Sequence, residues 1–341
     1  MIPNRKLEAP HRPLESTPPR VVEKAAVVGY RLASAVLAFV PPALSRGVIG
    51  GASQLTYLLW PTKRRYSSAN FGHVLGLPPT HPRVHRMALR AYREYARYVV
   101  ELMRLPSRPI HEITNGIDDD DIEKLAVTWR GSGRPMIILA GHIGNNEAVA
   151  AALAGAGYPS NAVVDDSAYP ELFALLNRQR EAWGIHPIPW RNLRELFKPL
   201  RRNEILALVV DWGYRDDGIP VLLFGSWTTL PAGPAVLAAK TRAQIAFFAI
   251  RRLRDGRFRI DCDGAFEVPS SGPADLQRAT QRMAGLLEAA VRVAPQQWYS
   301  FKPMWPDNPA EALDLEARAA AMLAGNPDPG PANARAGAPG S

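Results

Sequence analysis

Pro135-Met-Ile-Ile-Leu-Ala-Gly-His-Ile-Gly-Asn-Asn-Glu147 changes character twice within a few residues. An apolar run, Met136 to Ala140, stops at Gly141. His142 and Gly144 follow, and Glu147 leads into the helix-like run Glu147-Ala-Val-Ala-Ala-Ala-Leu153. The pattern predicts a strand, a tight turn and a helix N-terminus. A turn at the carboxyl end of a strand is where α/β proteins expose reactive groups. A histidine with a carboxylate partner can deprotonate a hydroxyl near neutral pH. Spacing alone weighs little. With 7 His and 32 acids in 341 residues, about 0.7 His should have an acid at i+5 by chance. The weight comes from the apolar run before His142, the glycines on both sides and the helix after it. The alternative is a turn histidine bonded locally, with Glu147 an ordinary first-turn acid.

Outward from this stretch, the chain divides. Residues 1–21 are polar and Pro-rich and read as a disordered tail. Residues 22–323 read as a single domain, with a helical, membrane-associating part over 22–105 and an α/β part over 106–323. Residues 324–341, rich in Gly, Pro and Ala, read as a second disordered tail. The helical part is clearest in His85–Arg104, where apolar residues recur at three and four and Arg fills the other face. Asp118 to Asp121 precede a helix start, where acids suit the positive end of the dipole.

From residue 135, short apolar runs alternate with helices. The predicted strands are 136–140, 161–165, 188–190, 205–211, 221–224, 245–251 and 258–262. The predicted helices are 147–154, 170–183, 192–199, 234–240 and 275–293. Such alternation predicts an α/β fold with a central, mostly parallel sheet covered by helices.

The net charge is +9, which favours anionic partners. No zinc-finger or RNA-binding signature accompanies it, and the cations interleave with apolar helices. An anionic membrane surface therefore fits better than nucleic acid. The apolar stretch Ala25–Leu44 is broken by Arg31 and Pro41-Pro42, and Lys63-Arg64-Arg65 follow it. A spanning helix wants about 20 uninterrupted apolar residues. The expectation is a helix on or dipping into a membrane surface, with a buried core helix as the alternative. The single cysteine, Cys262, excludes an intramolecular disulfide framework and suits a reducing compartment. In its strand-like context a buried structural thiol is favoured over a nucleophile.

Three further segments carry candidate binding groups. Arg180 closes a helix capped at Gly184 and can hold a phosphate or carboxylate, or simply compensate the helix dipole. Asp211 ends the apolar strand 205–211 and shares a sheet edge with His142 if the two strands are parallel. Leu230-Pro-Ala-Gly-Pro234 opens a helix whose amides, at Ala232 and Gly233, can face an anion. The acidic run Asp118–Asp121 could suggest metal binding, but a solvated helix entry is favoured and no metal is expected; no H-E-x-x-H, G-x-S-x-G elbow, Walker loop or post-strand G-x-G-x-x-G is present.

Together these segments resemble the bacterial lipid A biosynthesis acyltransferase family, which includes late lauroyl/myristoyl transferases and phosphatidylinositol mannoside acyltransferases. Gly141-His-Ile-Gly-Asn-Asn-Glu147 is similar to that family's H-x4-D/E motif. Arg180 with Gly184, Asp211, Phe224-Gly225, Leu230–Pro234 and Pro295-Gln-Gln-Trp-Tyr-Ser-Phe301 support it, over about residues 25–306. The chain departs from the pattern at Asn146, where an aromatic is common, and at Trp212, where Arg or Gln is frequent. It departs again at Lys302-Pro-Met-Trp305. The resemblance implies transfer of an acyl group from acyl-CoA or acyl carrier protein to a hydroxyl of a membrane lipid, with no other cofactor. It implies a peripheral or monotopic protein on the cytoplasmic face of the inner membrane. It casts His142 as general base, with Glu147 orienting it. Amides around Gly144 and Asn145, or Arg180, would stabilise the oxyanion, and Asp211 would help positioning. A non-catalytic lipid-binding protein of the same fold is the alternative.

Overall fold

The computed structural model describes residues 20–118, 120–165 and 169–331. The tail expectations for residues 1–19 and 332–341 lie outside the described residues. Four helices come first: α1 (Arg20–Phe39), α2 (Pro42–Leu59), α3 (Pro61–Leu75) and α4 (Pro82–Arg104). Proline stands at the first turn of α2, α3 and α4, where its missing N–H breaks no helical bond. The short α5 (Ile110–Thr114), β1 (Ile117–Asp118) and α6 (Asp120–Ser132) lead into β2 (Met136–Ala140). Then come α7 (Asn146–Gly155), β3 (Ser160–Val164), α8 (Pro170–Ala182), β4 (Ile185–Pro189), α9 (Leu193–Arg201) and β5 (Ile205–Val209). The chain continues through β6 (Ile219–Leu223), β7 (Ser226–Leu230), α10 (Gly233–Thr241), β8 (Gln244–Arg252), β9 (Phe258–Asp261) and β10 (Ala265–Phe266). It closes with α11 (Pro273–Val293) and α12 (Pro309–Leu323).

The main sheet runs β1-β9-β8-β2-β5-β3-β4, with β10 also on β8. Strands β8, β2, β5, β3 and β4 are mutually parallel; β9 and β10 run antiparallel to β8. The expected mostly parallel sheet under helices is therefore present. One expected strand lies elsewhere. The apolar run 221–224 falls in β6, which pairs with β7 as a separate antiparallel hairpin. This hairpin packs on α11 and α12 rather than extending the sheet. Its polar residues are satisfied inward: Gln277 Nε2 donates to Pro220 O at 3.3 Å, and buried Thr228 donates to Met304 O.

Strand β2 shows why the sheet needs cover on both faces. All five of its residues are buried, and alternate residues join different cores. Ile137 and Leu139 pack with Leu206, Ile245, Phe247 and the helix α11 residues Met283 and Leu287. Met136, Ile138 and Ala140 pack with Ala246, Phe248 and α7 residues Ala148 and Ala151. Register then sets the site: Ala140 of β2 pairs with Val209 of β5. The residues two positions beyond each, His142 and Asp211, consequently leave the sheet at the same level.

The expected apolar stretch 25–44 is divided between α1 and α2 by the break at Val40-Pro41. No described helix is long and apolar enough to cross a membrane. Val21, Val28, Leu32, Val36 and Phe39 follow one face of α1 and are exposed, Phe39 to 89%. Leu44, Val48, Leu55 and Leu59 do the same on α2. The opposite side of α1 holds the protein. Arg104 Nε donates to Leu37 O at 2.7 Å, Tyr30 OH donates to Gln179 Oε1 at 3.2 Å, and buried Glu23 accepts from Glu171 N at 2.5 Å.

Candidate active site

His142 stands on the turn between β2 and α7. A Cβ on Gly141 would come within 2.7 Å of Leu287 Cδ1, so any larger residue there would displace that buried side chain. Gly144, at φ +67°, reverses the chain where a Cβ would meet Ile250 O at 2.8 Å. Asn145 then caps α7, its Oδ1 accepting from Ala148 N at 3.0 Å.

The carboxylate on His142 is that of Asp211. Its Oδ1 lies 2.8 Å from His142 Nδ1, and the backbone N–H of His142 donates to both oxygens at 2.9 Å. Trp298 Nε1 donates to Oδ2 at 2.7 Å. Asp211 is 2% exposed, whereas the His142 side chain keeps 37% of its surface open. With Nδ1–H on the carboxylate, Nε2 is the ring nitrogen left to accept a proton.

The electrostatics follow from this geometry. Burial pushes the His142 pKa down, but the charge and hydrogen bond of Asp211 outweigh it. Despite opposition from Lys302, the net shift is upward. Burial pushes Asp211 up, but the charge and hydrogen bonds of His142, with the Trp298 bond, bring it below the ordinary carboxylate range.

Glu147, expected beside His142, is turned elsewhere. Arg180 grips it from Nε at 3.2 and 3.1 Å and from Nη2 at 2.5 Å, and Arg180 Nη1 also bonds Asn177 Oδ1 at 2.9 Å. The structure thus corrects the Glu147–His142 pairing. Glu147 is the second residue of α7, beyond the reversal at Gly144, and it faces α8. Two of the expected oxyanion donors are engaged elsewhere. The Gly144 amide bonds Gln297 O at 3.2 Å, and Arg180 is occupied by Glu147 and Asn177. The Asn145 side chain caps α7 and donates to Glu101 Oε2 at 3.2 Å. Gly233 opens α10 as expected, and among the described residues no hydrogen bond or ion pair joins it to His142. Cys262 is half-buried beyond the end of β9 and bonds Gly264 O at 3.6 Å.

Two supports were not foreseen. The segment 297–299 runs along the His142 turn: Ile143 bridges Trp298, and Tyr299 N donates to His142 O at 2.8 Å. Arg252, its side chain fully buried, pairs with Glu94 at 2.8 Å and Glu101 at 2.6 Å. Its backbone exchanges bonds with the Gln297 side chain at 2.7 and 2.9 Å. Helix α4, strand β8 and the closing segment are thereby fastened to one turn. Pro295–Phe301 was singled out as a motif, but nothing local marks Trp298 as a ligand of Asp211. Trp212, next to Asp211, lies with its ring 6.1 Å from that of His142.

The model of the bacterial lipid A biosynthesis acyltransferase family matches residues 20–306. A phosphatidylinositol mannoside acyltransferase of Mycolicibacterium smegmatis is 27% identical over 297 residues, covering 84% of this chain and 92% of that protein. A protein of the same description from Mycobacterium tuberculosis is 25% identical over 268 residues, covering 73% and 79%.

Proposed function

The chain belongs to the bacterial lipid A biosynthesis acyltransferase family, and from that premise we propose that it moves a fatty acyl group from acyl-CoA or acyl carrier protein to a hydroxyl of a glycolipid, with His142 as general base. The observation that carries the reading is the His142–Asp211 pair at the ends of adjacent parallel strands. The glycolipid acceptor follows the descriptions of the mycobacterial relatives.

An alcohol attacks a thioester slowly unless its proton leaves as the bond forms. Asp211 holds the Nδ1–H tautomer, so Nε2 takes the hydroxyl proton while the alkoxide oxygen adds to the thioester carbon. Asp211 stabilises the resulting imidazolium, as the acid does in a Ser-His-Asp triad. The acceptor hydroxyl occupies the serine's role, so no acyl-enzyme forms. The backbone N–H groups of Asn146 and Glu147, which open α7 and have no intrahelical acceptor, follow the same turn and can stabilise the oxyanion. As the intermediate collapses, the thiolate leaves and takes the proton from His142. The Glu147–Arg180 pair acts by holding α7 against α8.

The acceptor is a membrane lipid, and the exposed stripes of α1 and α2 supply an apolar face for the bilayer. Cations border it. Lys63, Arg64 and Arg65 begin α3, directly after α2. A cavity of about 420 Å³ at the α3–α4 corner is lined by Leu75, Leu77, Arg83, Arg86, Met87 and Arg90. Apolar contact plus cations suits a peripheral protein on an anionic surface, on the cytoplasmic side of the inner membrane, where these thioesters occur.

The test is single-turnover transfer from a labelled long-chain acyl-CoA to a phosphatidylinositol mannoside. His142→Ala should slow it by at least about 10²-fold. Transfer at the wild-type rate would refute the assignment of His142.

A further inference from the structure

Trp212 is an unusual neighbour for the buried Asp211: it keeps 39% of its surface exposed, beside the half-open His142 ring. The residues around it are pinned. Asp211 before it is held by His142 and Trp298. Gly213 after it, at φ +116°, lies where a Cβ would be 3.2 Å from Pro303 O, and Tyr214 N donates to the same carbonyl at 2.8 Å. The backbone thus fixes a large apolar ring in the open, next to the proposed base. Lys302 Nζ sits 3.9 Å from the centre of that ring. The Lys302 backbone is fixed as well, its carbonyl accepting from Asn70 Nδ2 at 2.8 Å.

We propose that Trp212 and Lys302 form the acceptor subsite: the indole receives the C–H face of the accepting pyranose, and the ammonium meets the phosphodiester that links sugar to lipid. The proposal rests on the glycolipid reading above and names the residues that select for it. The chemistry suits the pair. A pyranose presents an apolar C–H face while its hydroxyls radiate from the rim. The indole offers an electron-rich apolar face that such a surface covers and that also attracts a cation. A hydroxyl on a sugar so placed lies beside the imidazole. Lys302 opposes protonation of His142 by its charge, and a bound phosphodiester would engage that charge directly.

Full-length protein, a long-chain acyl-CoA and two acceptors test this. One acceptor is a phosphatidylinositol monomannoside, and the other is an alkyl mannoside with the same sugar and no phosphate. Trp212→Leu keeps an apolar side chain and removes the ring. It should raise KM for both acceptors by about 10-fold while kcat stays within about threefold, and Trp212→Phe should recover most of the loss. Lys302→Met should raise KM for the phosphate-bearing acceptor alone. Unchanged acceptor KM in Trp212→Leu, a loss confined to kcat, or no recovery in Trp212→Phe would overturn the indole's role. An equal effect of Lys302→Met on both acceptors, or none on either, would overturn the ammonium's. Failure of the wild-type protein to acylate either acceptor would instead overturn the glycolipid reading itself.

Discussion

Replacing Asp211 with Asn removes one charge from a buried site and forces a choice on the new amide. Three N–H groups now converge on the two carboxylate oxygens: His142 N, His142 Nδ1 and Trp298 Nε1, at 2.7 to 2.9 Å. An asparagine offers one acceptor oxygen and one NH2. If the NH2 faces Trp298, two donors meet and a buried N–H loses its partner, which costs about 1–3 kcal/mol of stability. If it faces His142, it donates to Nδ1 and moves the ring proton to Nε2, the atom proposed above to accept the hydroxyl proton. Either arrangement also removes the charge that stabilises the imidazolium. General-base catalysis supplies about 10²–10⁴ in rate, and the corresponding acid in serine proteases is worth a similar factor. Asp211→Asn should therefore slow single-turnover transfer at pH 8 by about 10²–10⁴-fold, or about 3–5 kcal/mol of barrier. Denaturant unfolding of the same sample shows whether it remains folded. A folded variant transferring within threefold of the wild type would refute the reasoning.

Glu147→Gln breaks the part-buried Glu147–Arg180 grip and should lower the unfolding free energy by about 1–3 kcal/mol while slowing transfer less than Asp211→Asn does. A rate loss as large as that of Asp211→Asn with wild-type stability would show instead that Glu147 takes part in the chemistry. On the membrane side, replacing Leu32, Val36 and Phe39 together with Ser removes apolar area from the exposed face of α1. Cosedimentation with vesicles containing anionic phospholipid should fall by at least about 10-fold, and undiminished cosedimentation would count against that face.

Much of this arrangement can be read along the chain, and the parts that cannot share one cause. Residues 136–147 announce strand, turn and helix because apolar period, glycines and a capping Asn act locally. The two parallel strands that carry His142 and Asp211 are visible as apolar runs. Their register is not, since Ala140 against Val209 is a tertiary choice. The i+5 spacing therefore pointed to Glu147, while Gly144 turns the chain away from it and Arg180 holds it. Trp298 bonds Asp211 across 87 positions, a distance at which no local pattern operates. The β6–β7 hairpin is half-legible: the apolar run 221–224 shows one strand, while Thr228 and Thr229 in the other are polar and yet buried, their hydroxyls bonding Met304 O and Arg215 O. One missed signal was local: Asp255-Gly256 between two apolar runs marks the tight turn that makes β9 antiparallel to β8.

The pH dependence of kcat/KM tests the central claim, a neutral His142 raised by Asp211, most directly. A base must be unprotonated in the free enzyme, so activity should climb as pH rises through the His142 pKa. In the wild type that acid limb should lie above 6.5, because Asp211 raises the group. In Asp211→Asn, burial and Lys302 remain without the opposing charge, so the limb should move below 6.5 and lead to a much lower plateau. An identical limb in both proteins, or activity that falls as pH rises through this range, would contradict the account.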